Sequence, residues 1–113
     1  MKRGEIWLIN LDPTIGSEIR KTRPAVILNS NALGRLPLSI IVPITDWKEN
    51  YTIAPWMIHL KPEALNGLSK SSAADCFQVR SVSHSRFVKK LGVLNSAIMS
   101  EISQGLISVM ELD

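Results

Sequence analysis

The stretch EIWLINLDPTIGSEIRKTRPAVIL (residues 5–28) reads as strand, polar loop, strand, and it decides the fold class. EIWLINLD (5–12) alternates Ile6, Leu8 and Leu11 imperfectly with polar positions, and its β-branched and aromatic content predicts a strand that Pro13 ends. PAVILN (24–29) is a short unbroken apolar run, the pattern of a strand covered on both faces. Between them Glu18, Arg20, Lys21 and Arg23 fall within six positions, so a charged loop enters the core abruptly. Arg23 stands at that boundary. The residue before a proline is pushed toward extended geometry, which holds the Arg23 side chain at the mouth of the strand.

Further along, SNALGRLP (30–37) supplies turn chemistry through Asn31, Gly34 and Pro37. LSIIVPIT (38–45) predicts a strand, with Pro43 arguing for an edge or a bulge because it has no N–H for a ladder. DWKENYT (46–52) is a second polar excursion. IAPWMIHLK (53–61) predicts an edge strand because of Pro55, and PEALNGLSKSSA (62–73) predicts turns. ADCFQVRSV (74–82) and RFVKKLGVL (86–94) read as the last strands. Asn95 is a candidate N-cap for a helix carrying Ile98, Ile102, Leu106 and Val109/Met110, which Gly105 weakens by roughly 1 kcal/mol relative to alanine. Many short strands and one terminal amphipathic helix predict a mainly β fold, a small, strongly bent barrel-like sheet formed as one domain over residues 1–113.

Composition narrows the function classes. The net charge of +3 leans mildly toward anionic partners. All thirteen basic residues lie at or before Lys90, and the last 23 residues carry only Glu101, Glu111 and Asp113. No apolar run approaches the ~20 residues of a membrane span, and Glu5 and Asp12 come too early for a signal peptide. The single cysteine, Cys76, excludes an internal disulfide framework. A soluble cytoplasmic protein with no membrane partner is expected.

The candidate chemistry centres on Arg23, whose guanidinium offers a planar fork of donors suited to phosphate. Gly16 and Ser17 give the preceding loop freedom to bring amides near an anion. The alternative is an arginine paired with Glu18 or Asp12 that tethers the loop. Thr45, at a strand terminus, can donate to a phosphoryl oxygen or cap a turn. Trp47, within a polar loop, is the better base-stacking candidate, with Trp7 and Trp56 filling core or interface. His59 and His84 are too few and too unpaired in sequence for a metal site, and Cys76 lacks a second thiolate.

RGEIWLINLDPTIGSEIRKTRPAVIL resembles the MazF/PemK family of toxin endoribonucleases, with IVPIT and QVRSV (78–82) resembling later blocks of that family in the right order. The resemblance implies a homodimer of SH3-like barrels with appended helices that cuts single-stranded mRNA without metal or cofactor. In that chemistry the ribose 2′-hydroxyl attacks the adjacent phosphorus and leaves 2′,3′-cyclic phosphate and 5′-hydroxyl ends. Arg23 matches the family's catalytic arginine, Thr45 its catalytic threonine and Glu18 a glutamate important in some members. A pKa above ~12 unsuits arginine as a base, so Arg23 is expected to stabilise charge, with Glu18 the candidate base. Ser17, Lys21, Trp47, Gln78 and Arg80 are the expected RNA contacts; for Gln78 and Arg80 the alternatives are an inward sheet residue and a surface salt bridge. One branch of the family has histidine where this chain has Ser17, and its arginine and aspartate around the cysteine are replaced by Asp75 and Phe77 beside Cys76, so that branch's sites are not carried over. A cognate MazE-like antitoxin with an acidic tail is the implied protein partner. Two other functions share the fold: a CcdB-like gyrase poison, which relies on a Trp-Gly-Ile terminus absent from SVMELD, and a plain SH3-like peptide-binding module.

Overall fold

The computed structural model describes residues 1–112; Asp113, the last acid of the tail, lies outside them. Strands β1 (Glu5–Asn10) and β2 (Thr22–Ile27) form the expected antiparallel pair, with Ile6 opposite Val26 and Leu8 opposite Pro24. They are followed by β3 (Leu38–Asp46), β4 (Met57–Leu60), β5 (Ser72–Asp75), β6 (Arg80–Ser83), β7 (Phe87–Val93) and the helix α1 (Ser96–Met110). The sheet order is β4-β5-β3-β2-β1-β7, with β6 also pairing β3. Extents of 36, 33 and 32 Å show a sheet wrapped on itself. Among the described residues β7 does not pair with β4, so the expected barrel is an open, strongly bent sheet.

Pro43 is not at an edge. It lies in the middle of β3, which has neighbours on both flanks. The Leu28 N–H donates to the Ile40 carbonyl (2.9 Å), so even-numbered amides of β3 point at β2 and odd-numbered ones, Pro43 included, at the other flank. On that flank β6 pairs as far as Ile41–Arg80 and β5 begins at Ile44–Ala74. Pro43 therefore falls where the ladder changes partner and no donor is required. ADCFQVRSV is accordingly not one strand. It leaves β5 at Asp75, makes a single 3₁₀ turn at Cys76–Gln78, and resumes pairing as β6. Pro55 likewise precedes its strand, and the residues before it form a 3₁₀ turn, Glu49–Ile53.

β2 is buried on both faces, as its composition predicts. Val26 joins Ile6, Val42, Ile44 and Ile102 on one side, while Ala25 and Ile27 join Ile9, Leu11, Ile41 and Val82 on the other. Helix α1 closes the first of these cores. The Asn95 Oδ1 accepts the Ile98 N–H at 2.9 Å, the expected N-cap. Gly105 explains itself here, because a Cβ at this position would sit 2.9 Å from the Cys76 Sγ and 3.4 Å from the Ile58 Cδ1. The helix needs that bare backbone to approach β4 and the Cys76 turn.

Glu5 ties the start of β1 together. Its carboxylate accepts from the Trp7 Nε1 (2.9 Å) and the Lys2 N–H (3.0 Å), and the Lys90 Nζ lies 3.2 Å away. Burial alone would raise its pKa. Those donors outweigh burial and bring it from the ordinary 4.5 down to about 2.

Two outcomes follow from this packing. Gly105→Ala should destabilise the protein by about 1–3 kcal/mol in urea unfolding through overpacking, against the gain of about 1 kcal/mol that helix propensity alone predicts. Since the folded pKa of Glu5 is depressed, its contribution is complete above pH 4.5 and is lost as pH falls toward 2. Glu5→Gln should therefore cost about 2–3 kcal/mol near neutral pH, a deficit that closes across that window in unfolding measured against pH.

Candidate active site

Arg23 and Thr45 line one cleft just beyond the end of the β2–β3 ladder. Arg23 is the second residue of β2 and sits opposite Ile9 of β1. The β2–β3 register pairs Ile27 with Ile41 and Ala25 with Pro43, and the same count carried on by two residues sets Arg23 against Thr45. The ladder stops at Ala25–Pro43, before reaching them, while on its other flank β3 pairs Thr45 with Ala73 of β5. A cleft of ≈ 250 Å³ opens there, lined by Arg23, Pro24, Thr45, Asp46, Ser69 and Lys70, among others. Arg23 and Thr45 are half-buried, whereas Glu18, the candidate base, is exposed. Among the described residues Arg23 makes no ion pair, so the tether to Glu18 or Asp12 is not formed; its Nε donates only a long bond, 3.4 Å, to the Arg20 carbonyl.

Glu18 lines a separate hollow of ≈ 420 Å³ with Ser17, Pro43, Gln78 and Arg80. β3 contributes to both spaces, Pro43 to one and Ile44 to Asp46 to the other. One Glu18 carboxylate oxygen accepts the Ile15 N–H at 2.6 Å and shapes the loop tip. Lys21 is exposed with φ +70°, a left-handed conformation rare for a side-chain-bearing residue, at the point where the loop re-enters the sheet. Its carbonyl accepts the Leu11 N–H (2.9 Å), closing the loop's base.

Gln78 and Arg80 grip that loop. The Gln78 Oε1 accepts the Ile19 N–H (2.6 Å), and its Nε2 donates to the Asp75 Oδ2 (3.2 Å) and weakly to the Ser17 carbonyl (3.4 Å). The other Asp75 oxygen accepts the Phe77 N–H (3.1 Å), which caps the 3₁₀ turn. Burial pushes the Asp75 pKa up, and the donors from Phe77 and Gln78 offset this only partly. The Arg80 Nη1 donates to the Leu11 carbonyl (3.3 Å), and the Arg86 Nη1 donates to the carbonyls of Asn10 (3.2 Å) and Asp12. Gln78 thus does more than line the sheet, and Arg80 bonds backbone where a salt bridge was the alternative. Cys76 is buried and inert: burial, with the neighbouring Asp75 charge, pushes its thiol pKa up to about 12.

Trp47 follows Thr45 and Asp46 out of the cleft. Its indole stacks on the His59 ring (4.0 Å, 12°) and meets Tyr51 edge-on at 5.7 Å. His59 is itself hydrogen-bonded to the Ser71 Oγ at 2.6 Å, consistent with a satisfied sheet residue. Trp7 and Trp56 pack against the two cores. Sequence reasoning missed Lys70 and Asp46, an ion pair at 3.0 Å on the wall of the Arg23–Thr45 cleft. No spacing signal joins two residues 24 positions apart; only the β3–β5 pairing does so, setting Asp46 opposite Ser72.

Residues 2–110 match the family described as the PemK-like, MazF-like toxin of type II toxin–antitoxin systems. The chain belongs to that family. It is 32% identical over 112 residues to the endoribonuclease PemK of Escherichia coli, covering 97% of this chain and 82% of PemK. It is 30% identical over 113 residues to the endoribonuclease MazF9 of Mycobacterium tuberculosis, covering 94% and 92%. Its fold matches MazF of Deinococcus radiodurans with a TM-score of 0.83 at 23% identity, over 99% of this chain and 97% of that one. The same organism's MazE-MazF crystal structure matches with a TM-score of 0.77, over 100% and 97%. The PemK/MazF fold thus frames the geometry above, in which a polar loop is strapped beside a cleft holding an arginine and a threonine.

Gln78→Ala removes the acceptor for the Ile19 amide and the partner of Asp75. It should cost about 1–2 kcal/mol of stability and speed hydrogen exchange at the Ile19 amide, while amides of β2 stay protected.

Proposed function

We propose that this chain is the toxin of a type II toxin–antitoxin pair and acts as a metal-independent endoribonuclease on single-stranded mRNA. The observation that carries this reading is the half-buried guanidinium of Arg23, without an ion pair among the described residues, lining one cleft with Thr45. The ribose 2′-oxygen bonds to the adjacent phosphorus as the P–O5′ bond breaks, leaving a 2′,3′-cyclic phosphate and a 5′-hydroxyl. Negative charge builds on the non-bridging oxygens during that exchange, and donors already held in place there stabilise it most. Arg23 and Thr45 are those donors, and Arg23 also supplies a proton toward the departing 5′-oxygen. Glu18 is assigned to take the 2′-hydroxyl proton; the Ile15 amide engages one of its oxygens and leaves lone pairs for the substrate.

Ser17, Lys21 and Arg80 line the RNA path beside the loop, with Gln78 contacting RNA while it holds that loop. Trp47, backed by His59, offers a base its outer face. Among the described residues no helix is long and apolar enough to cross a membrane. We place the protein in the cytoplasm as a homodimer, where mRNA and a cognate antitoxin are available. MazF of D. radiodurans is found with MazE, and a basic body suits an acidic partner segment.

Arg23→Ala should lose about 10²–10³-fold of RNA cleavage in the presence of EDTA with its circular dichroism unchanged. Cleavage products should carry 2′,3′-cyclic phosphate. Undiminished cleavage by the variant, or cleavage abolished by EDTA, would overturn the reading.

A further inference from the structure

Lys70 stands on the wall of the cleft that holds Arg23 and Thr45, and its only ion-pair partner among the described residues is Asp46, at 3.0 Å. Both side chains are more than half exposed, 64% and 54%. An exposed pair of this kind contributes ~0–1 kcal/mol, so an arriving phosphate can displace the carboxylate at little cost. The backbone beneath Lys70, by contrast, is tightly held. Its carbonyl accepts the Ser72 Oγ (2.9 Å), and Ser72 is buried opposite Asp46. The preceding segment lies directly on β7: a Cβ at Gly67 would fall 2.1 Å from the Leu91 carbonyl oxygen, and the Val93 N–H donates to the Leu65 carbonyl at 3.0 Å. A fixed stem with an exposed, weakly paired ammonium suits a charge that changes partner.

We infer that Lys70 is a second phosphate-binding cation of the cleft, held in reserve by Asp46 and transferred to an RNA phosphate when substrate enters. This rests on the endoribonuclease reading and adds a binding residue to it. Arg23 then meets the reacting phosphate, and Lys70 meets a phosphate of the same strand farther along the cleft. Asp46 acts through Lys70: it keeps the ammonium pointed along the wall in the free protein.

The test uses the full chain and a single-stranded RNA that the wild type cleaves, made resistant by a 2′-deoxy sugar at the scissile nucleotide, with affinity followed against salt concentration. Each phosphate neutralised on a single strand contributes about 0.7 to the slope of log affinity against log salt. Lys70→Met should lower the magnitude of that slope by about 0.7, and Lys70→Arg should retain it. Asp46→Asn should tighten binding by up to about fivefold, the equivalent of an exposed pair no longer broken, and this gain should shrink in the Lys70→Met background. A salt slope unchanged in Lys70→Met overturns the contact. A gain from Asp46→Asn of equal size in both backgrounds overturns the exchange, since it would then reflect only the removal of a negative charge. Either result leaves RNA cleavage by the wild type standing, whereas a wild type that neither binds nor cleaves RNA sinks the endoribonuclease reading and this inference together.

Discussion

A missing N–H organises this molecule. Pro43 cannot donate on the flank of β3 that it faces, and on that flank β3 exchanges β6 for β5. The chain between those two strands, freed from pairing, loops out through the Cys76–Gln78 turn. The turn and Pro43 line the hollow beside Glu18, and the divergence of β3 from β2 just beyond opens the cleft of Arg23 and Thr45. A ladder continuous on both flanks would leave no concavity at this place. The gap in the ladder at Pro43 and the hollow beside Glu18 are one feature.

The loop between β1 and β2 has no secondary structure of its own, and a loop of this length would ordinarily sample many conformations. Side chains from elsewhere supply its hydrogen bonds instead. Gln78 holds the far limb at Ile19 and Ser17, while Arg80 and Arg86 hold the carbonyls of Asn10, Leu11 and Asp12. Electrostatic stabilisation of a phosphoryl transition state depends on donors that need not reorganise, so straps on the loop's backbone bear directly on the proposed chemistry. Asp75 acts one step further back, capping the turn that presents Gln78.

Aromatic placement follows the same economy. Trp47 leaves the cleft rim and lands on His59 of the edge strand β4, whose own ring is held by Ser71. An indole already stacked on one face loses little side-chain freedom when a flat ligand arrives. The cost of ordering it is met within the fold.

Local chemistry made several features legible from the sequence alone. Apolar continuity marked β2 as buried on both faces, Asn95 marked the start of α1, and the Arg23–Pro24 dipeptide marked an arginine held at a strand mouth. These depend on neighbours within a few residues, which is why a linear reading reaches them. Pro43 misled as an edge signal because the partner change that excuses it involves strands 30 to 40 residues away. ADCFQVRSV misled as one strand because its break is imposed by β3. Gly105 reads as a weak point in a helix until Cys76 lies against it. Lys70 carried no signal at all, since its nearness to Asp46 exists only through the β3–β5 ladder. Residue types and short-range geometry settled the elements and the candidate chemistry; which groups share a cleft was decided by long-range strand pairing, whose register no local preference encodes.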